Sequence, residues 1–196
     1  MKYALLSILI LFLSSCGKPN KQLEISLNDS NNIKILNKRD SLALELIKLY
    51  GSDQIARENN RLFTGLDTIN FDVLVDFVEN NGFPNEKLLG EDYMKIEPIG
   101  ATAGAVLLHN PHRLINEKEY FDLFLSEVEK GNMNREMLAL VLDKYYWVRR
   151  DNDGNRKLLY GTQFGKPCLK YRKQSDSARA TIGLKPLADS LFIKCF

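Results

Sequence analysis

Apolar residues return every third or fourth position in one segment after another, and this spacing constrains the fold more than any other feature. Phe71, Leu74, Val75 and Val78 share one helical face, with Asn70 as the expected cap and Asn81-Gly82 and Pro84 as the stop. Leu42, Leu46, Ile47, Leu49 and Tyr50 predict an earlier helix that begins near Asp40-Ser41 and is bent or interrupted at Gly51. Tyr120, Phe121, Phe124, Leu125 and Val128 predict a further one, opened by a capping box of Asn116 and Glu119 and closed at Lys130-Gly131. Met137, Leu140, Val141 and Tyr145 continue the period. Residues 99–108 are rich in Gly and Ala, which predicts a buried helix with a thin side that a neighbour can approach, ending at Asn110-Pro111.

The period changes after Tyr145. Residues 146–150 and 156–162 are short extended runs around Asp151-Asn152-Asp153-Gly154-Asn155, a turn signal, and predict one β-hairpin. Residues 176–182 and 186–192 predict two short helices joined at Gly183-Leu184. The expected class is therefore mainly α (α+β): a single compact helical domain with one small β-hairpin.

The N-terminus reads differently. Lys2 precedes an apolar run over residues 3–13, relieved only by Ser7, and Leu13-Ser14-Ser15 leads straight into Cys16. Eleven residues at about 1.5 Å each cover roughly half of a ~30 Å hydrocarbon core, so the run is a signal segment rather than a span. It resembles the lipobox of bacterial lipoproteins, whose cysteine is acylated and becomes the mature N-terminus; the alternative is an ordinary signal peptide with a chance cysteine. The expected organisation is a signal peptide over 1–15, lipidated Cys16 with a polar tether over 16–37, and a globular domain over 38–196. No Asp follows Cys16, so the expected address is the cell envelope, at the outer membrane, with the membrane as partner through the acyl chains.

Charge is unevenly spread. The whole chain sums to +2, too little for a nucleic-acid binder. From Cys16 to Asp143 there are 14 Lys/Arg against 21 Asp/Glu, whereas residues 144–173 hold nine basic residues and only two acidic ones, Asp151 and Asp153. The segment is either a solvated hairpin beside an acidic helical body or a basic face for lipid headgroups, envelope polymer or an acidic partner. Besides Cys16, only Cys168 and Cys195 carry thiols. In an exported protein they are expected first as a disulfide, then as free buried thiols, and last as a nucleophile, since no nucleophile motif surrounds either.

Several short motifs stand in a fixed order: Asp53-Gln54-Ile55-Ala56-Arg57, Gly82-Phe83-Pro84, the alanine-rich segment ending at His109, Asp143, Tyr160-Gly161-Thr162-Gln163, and Asp176-Ser177-Ala178-Arg179-Ala180 with Gly183-Leu184-Lys185-Pro186-Leu187. Together they resemble a bacterial family known as domain of unknown function 6624, over roughly residues 40–192. The resemblance implies a shared fold and carries no established reaction. The family tends to have Gln where Leu108 stands and Arg where Lys144 stands.

The residues suggest chemistry of their own. His109 falls at a helix C-terminus, either as a cap for the last carbonyls or as a general base oriented by Asp53 or Asp143. Gly161 permits close approach, and Thr162 and Gln163 offer neutral donors and acceptors. Arg57 and Arg179 either pair with nearby aspartates or grip an anion. Asp53, Gln54, Arg57, His109, Asp143, Tyr160, Thr162, Gln163 and Arg179 are expected to converge on one cleft. The leading function is an envelope binding or interaction module for a small polar ligand or envelope partner; the alternative is a hydrolase with a His/Asp acid–base pair. Two histidines without HExxH or paired CxxC predict no metal, and without GxSxG, Walker A or GxGxxG no cofactor is expected.

Overall fold

The computed structural model describes residues 27–58 and 64–195. The signal segment, Cys16 and the first part of the tether lie outside the described residues. Helix α1 spans Leu27–Glu58 without a break. It starts well before Asp40 and runs through Gly51, against expectation. Leu42, Ala43, Leu46 and Leu49 are all buried and hold the helix in place. Each residue added to an existing helix needs only one more hydrogen bond, and a helical glycine costs only about 1 kcal/mol.

Helix α2 spans Thr64–Asn81. It buries Phe71, Leu74 and Val78 as the spacing predicts. Asn70 is not a cap but an interior residue, 2% exposed, whose Oδ1 accepts the Ser52 hydroxyl at 2.9 Å. The stop falls as expected: Gly82 takes φ +86°, and its N–H donates to the Val78 carbonyl at 2.8 Å. Two single-turn helices follow, α3 (Glu86–Leu89) and α4 (Glu91–Met94), and then α5 (Glu97–His109).

The small residues of α5 do what small residues permit. A Cβ on Gly100 would stand 2.4 Å from the Met94 carbonyl oxygen, and one on Gly104 would stand 3.3 Å from the Met137 side chain. Thr102 hydrogen-bonds the Leu46 carbonyl of α1 at 3.1 Å, which ties the two helices together. Helices α6 (Pro111–Asn116), α7 (Lys118–Glu129), α8 (Arg135–Trp147) and α9 (Arg172–Thr181) complete the described set. The Asn116–Glu119 capping box does not form, because Asn116 ends α6 and Glu117 precedes α7 with no side-chain cap.

One core joins these helices. Leu46, Phe71, Ile99, Leu107, Phe124 and Leu142 are essentially inaccessible. Each such side chain contributes roughly 1.5–3 kcal/mol relative to exposure. No helix among the described residues is long and apolar enough to cross a membrane.

The β-hairpin is not there. Among the described residues there is no sheet, only an isolated parallel bridge between Cys168 and Ile193. The expected turn forms, with Asp151 N–H donating to the Asn155 carbonyl at 2.8 Å and Gly154 at φ +80°. Its arms do not pair. Residues 146–147 extend α8, and the backbone of residues 159–162 is bonded by side chains instead of a partner strand. The segment at 186–192 keeps only a 3₁₀ turn, Asp189–Leu191. Cys168 and Cys195 form a disulfide, beside the Leu169 N–H bond to the Ile193 carbonyl at 2.8 Å.

Candidate functional site

Three helix ends meet at Asp53. Asp53 and Arg57 are one turn apart at the end of α1, Asp67 lies in the first turn of α2, and His109 is the last residue of α5. Arg57 and Asp67 suit the helix dipoles, a cation at the C-terminus of α1 and an anion at the N-terminus of α2. His109 Nδ1 lies 2.9 Å from Asp53 Oδ1. Gln54 Nε2 donates to Asp53 Oδ2 at 2.7 Å. Arg57 Nη2 is 3.5 Å from Asp53 Oδ1 and 2.5 Å from Asp67 Oδ1.

Asp53 is 1% exposed, and burial alone would raise its pKa. The hydrogen bond from His109 and the charges of His109 and Arg57 outweigh burial, so the carboxyl is held below its usual range. His109 is not a cap for the end of α5. Asn110 takes that task, donating through Nδ2 to the Val106 carbonyl and to the Asp67 carbonyl, both at 3.0 Å. The imidazole is thereby left to face Asp53, with its side chain 24% exposed. Asp53, Asp67 and His109 bring one ligand atom each within 4.8 Å of one another. The Arg57 guanidinium already contacts both carboxylates, so positive charge is supplied there by the chain itself.

Asp143 belongs to a different cluster. It is fully buried on α8. Its Oδ1 accepts from Leu159 N–H at 2.9 Å and Tyr160 N–H at 3.0 Å; its Oδ2 accepts from Thr162 N–H at 3.1 Å and Thr162 Oγ1 at 3.0 Å. Four donors occupy the carboxylate, which makes Asp143 an anchor for the backbone rather than a base. Arg179 works on the same segment, donating to the carbonyls of Tyr160 and Lys185. Burial pushes the Tyr160 phenol far above its ordinary range.

The nine expected site residues thus divide. Asp53, Gln54, Arg57 and His109 form one hydrogen-bonded group; Asp143, Tyr160, Thr162 and Arg179 form another, with Gln163 beside it. No ion pair or hydrogen bond links the two groups among the described residues. A groove of about 560 Å³ opens over the second group, lined by Thr162, Gln163, Arg179, Met137, Leu140 and Leu184 among others. Gln163 is exposed there, and its amide has no hydrogen-bond partner among the described residues.

Two acids escaped sequence reasoning. Asp67 completes the Arg57 pair, and its one signal is an acid in a first helical turn. Glu127 is buried in α7; its Oε2 accepts Phe83 N–H at 2.9 Å and Asn132 Nδ2 at 2.8 Å, and its Oε1 meets Lys130 at 2.7 Å. Its signal was an acid placed on the apolar stripe between Phe124 and Val128. Burial opposes its ionisation, but Lys130 and the Phe83 amide lower its pKa overall. The chain matches no protein-family model, no curated protein and no solved structure.

Proposed function

We propose that this chain is a lipoprotein of the bacterial envelope, anchored through acyl chains on Cys16, whose helical domain binds a small polar ligand. The observation behind the binding role is the Gln163 groove. It offers the unclaimed Gln163 amide and apolar walls from Met137, Leu140 and Leu184. Such a surface suits an amide- or hydroxyl-bearing ligand with an apolar edge, because the walls exclude water while the amide sets orientation. The family resemblance names no reaction, so the choice rests on geometry.

The test is a thermal-shift screen of the full chain against amino sugars and short amide-bearing peptides. A ligand at 100 times its Kd stabilises by about 2.7 kcal/mol, which moves Tm by roughly 5–10 °C for a chain of this size. Gln163→Ala abolishes that shift and Asp53→Asn keeps it. A hit that shifts wild type and Gln163→Ala equally places the ligand elsewhere. Incorporation of labelled palmitate into wild type, and not into Cys16→Ala, tests the anchor.

A hydrolase is favoured by one observation, the His109–Asp53 pair at 2.9 Å. A buried, ionised carboxylate on Nδ1 orients the ring and leaves Nε2 to move a proton. Turnover of envelope esters or amides that disappears in His109→Ala, and survives in Gln163→Ala, would select this role over binding alone.

A further inference from the structure

Positive charge on the C-terminal part is largely uncompensated. Of the nine basic residues in 144–173, Lys170 pairs with Asp151 and Asp153, and Arg172 with Asp176 and Asp189. Lys144, Arg149, Arg150, Arg156, Lys157, Lys166 and Lys173 have no carboxylate partner among the described residues. Pairing therefore consumes both acids of the segment and leaves seven cations.

Three of the seven converge. Arg150, Arg156 and Lys166 line one groove of about 360 Å³, whose described lining residues include no Asp or Glu and take in the Cys168 and Cys195 disulfide. Arg150 and Lys166 spend single hydrogen bonds on neutral carbonyls, those of Gly154 (2.7 Å) and Ser190 (3.2 Å), so their charges stay available. The Arg156 guanidinium carbon lies 4.7 Å from the Trp147 ring centroid, and its Nε is buried with no hydrogen-bond partner. Stacking engages the guanidinium face and leaves its in-plane N–H donors unspent. Trp147 is itself backed by Phe164, which lines the groove, at 5.5 Å between ring centroids.

We propose that this groove binds a phosphate ester group. Two guanidinium forks and an ammonium, approaching from different directions, match an anion whose four oxygens are arranged tetrahedrally; a carboxylate's two lie in one plane. The volume admits a phosphate with a short attachment such as glycerol. The site is separate from the Gln163 groove, with which it shares no lining residue, so either can fail without the other.

Trp147 is the one tryptophan of the chain and provides the readout. Full-length protein in nonionic-detergent micelles is titrated at constant ionic strength with glycerol phosphate, and separately with micelles doped with phosphatidylglycerol or, as the phosphate-free control, diacylglycerol. Saturable change in Trp147 emission is expected, with affinity falling about tenfold in Lys166→Gln and Arg150→Gln. Neither substitution touches the fluorophore, and unchanged thermal unfolding certifies the fold. Lys173→Gln, outside the groove, keeps wild-type affinity. A response to glycerol phosphate identifies a soluble ester as ligand, and a response confined to phosphatidylglycerol identifies a lipid headgroup; both support the proposal. Emission that chloride changes equally, or a loss in Lys173→Gln as large as in Lys166→Gln, overturns it.

Discussion

Nδ1 of His109 stands 2.9 Å from Oδ1 of Asp53, although 56 residues separate them in the chain. Asp53 is ionised at neutral pH, and an ionised carboxylate only accepts, so Nδ1 carries the proton between them. Loss of that arrangement has a pH signature. The folded pKa of Asp53 lies below its unfolded value, so its contribution is complete above the ordinary aspartate range near 4 and fades as pH falls through the lower folded value. Urea unfolding of Asp53→Asn should show a loss of about 1–3 kcal/mol at pH 7 and a smaller acid-side decline than wild type. Equal acid-side slopes for the two proteins would contradict this.

Asp143 holds three backbone N–H groups and one hydroxyl. Alanine there leaves the buried amides of Leu159 and Tyr160 without an acceptor, and the expected cost is about 3–5 kcal/mol by chemical denaturation. Asp143→Asn should also destabilise, because its NH₂ group turns a donor toward donors. A loss below about 1 kcal/mol for alanine would mean that another group takes over the clamp.

Glycines separate conformational strain from crowding. Gly161 and Gly154 both have positive φ, +69° and +80°. A Cβ on Gly161 would lie 2.7 Å from Leu187 Cδ1, whereas one on Gly154 meets nothing within 4 Å. Both alanine variants should lose about 1 kcal/mol to strain, and Gly161→Ala should lose measurably more in thermal unfolding. Gly51→Ala, in the open middle of α1, should gain about 0.5–1 kcal/mol.

The Cys168–Cys195 disulfide closes a loop with a sequence separation of 27. In the chain-entropy description that constraint contributes about 3 kcal/mol. Cys195→Ser should therefore lower Tm by several degrees, and reductant should have no further effect on the variant. An unchanged Tm would show that the bridge constrains nothing.

The helices with strong apolar stripes were legible because burial imposes the period: Phe71, Leu74 and Val78 are where the spacing puts them. The end of α2 was legible for a local reason, the positive φ at Gly82. The expected hairpin does not form, because a turn specifies only itself. Asp151 and Gly154 build the turn, yet whether residues 159–162 pair with a strand is decided by Asp143, sixteen to nineteen residues away, whose acceptor oxygens leave no sign in the pattern. The same limit applied at the site. Asp53 and Asp143 were equal candidates for His109, and only the packing of α1 against α5 chose between them. Asn70 looked like a cap because caps and buried hydrogen-bonding residues are the same amino acids.

A carboxylate that replaces a neighbouring strand has a dynamic consequence. In a ladder, amide hydrogens open one after another from the ends; here those of Leu159, Tyr160 and Thr162 share a single acceptor group and have no inner rung to fall back on. All three amides should show one protection factor against deuterium exchange, set by the departure of one side chain, so that the segment behaves as a latch with open and shut positions rather than as a fraying edge.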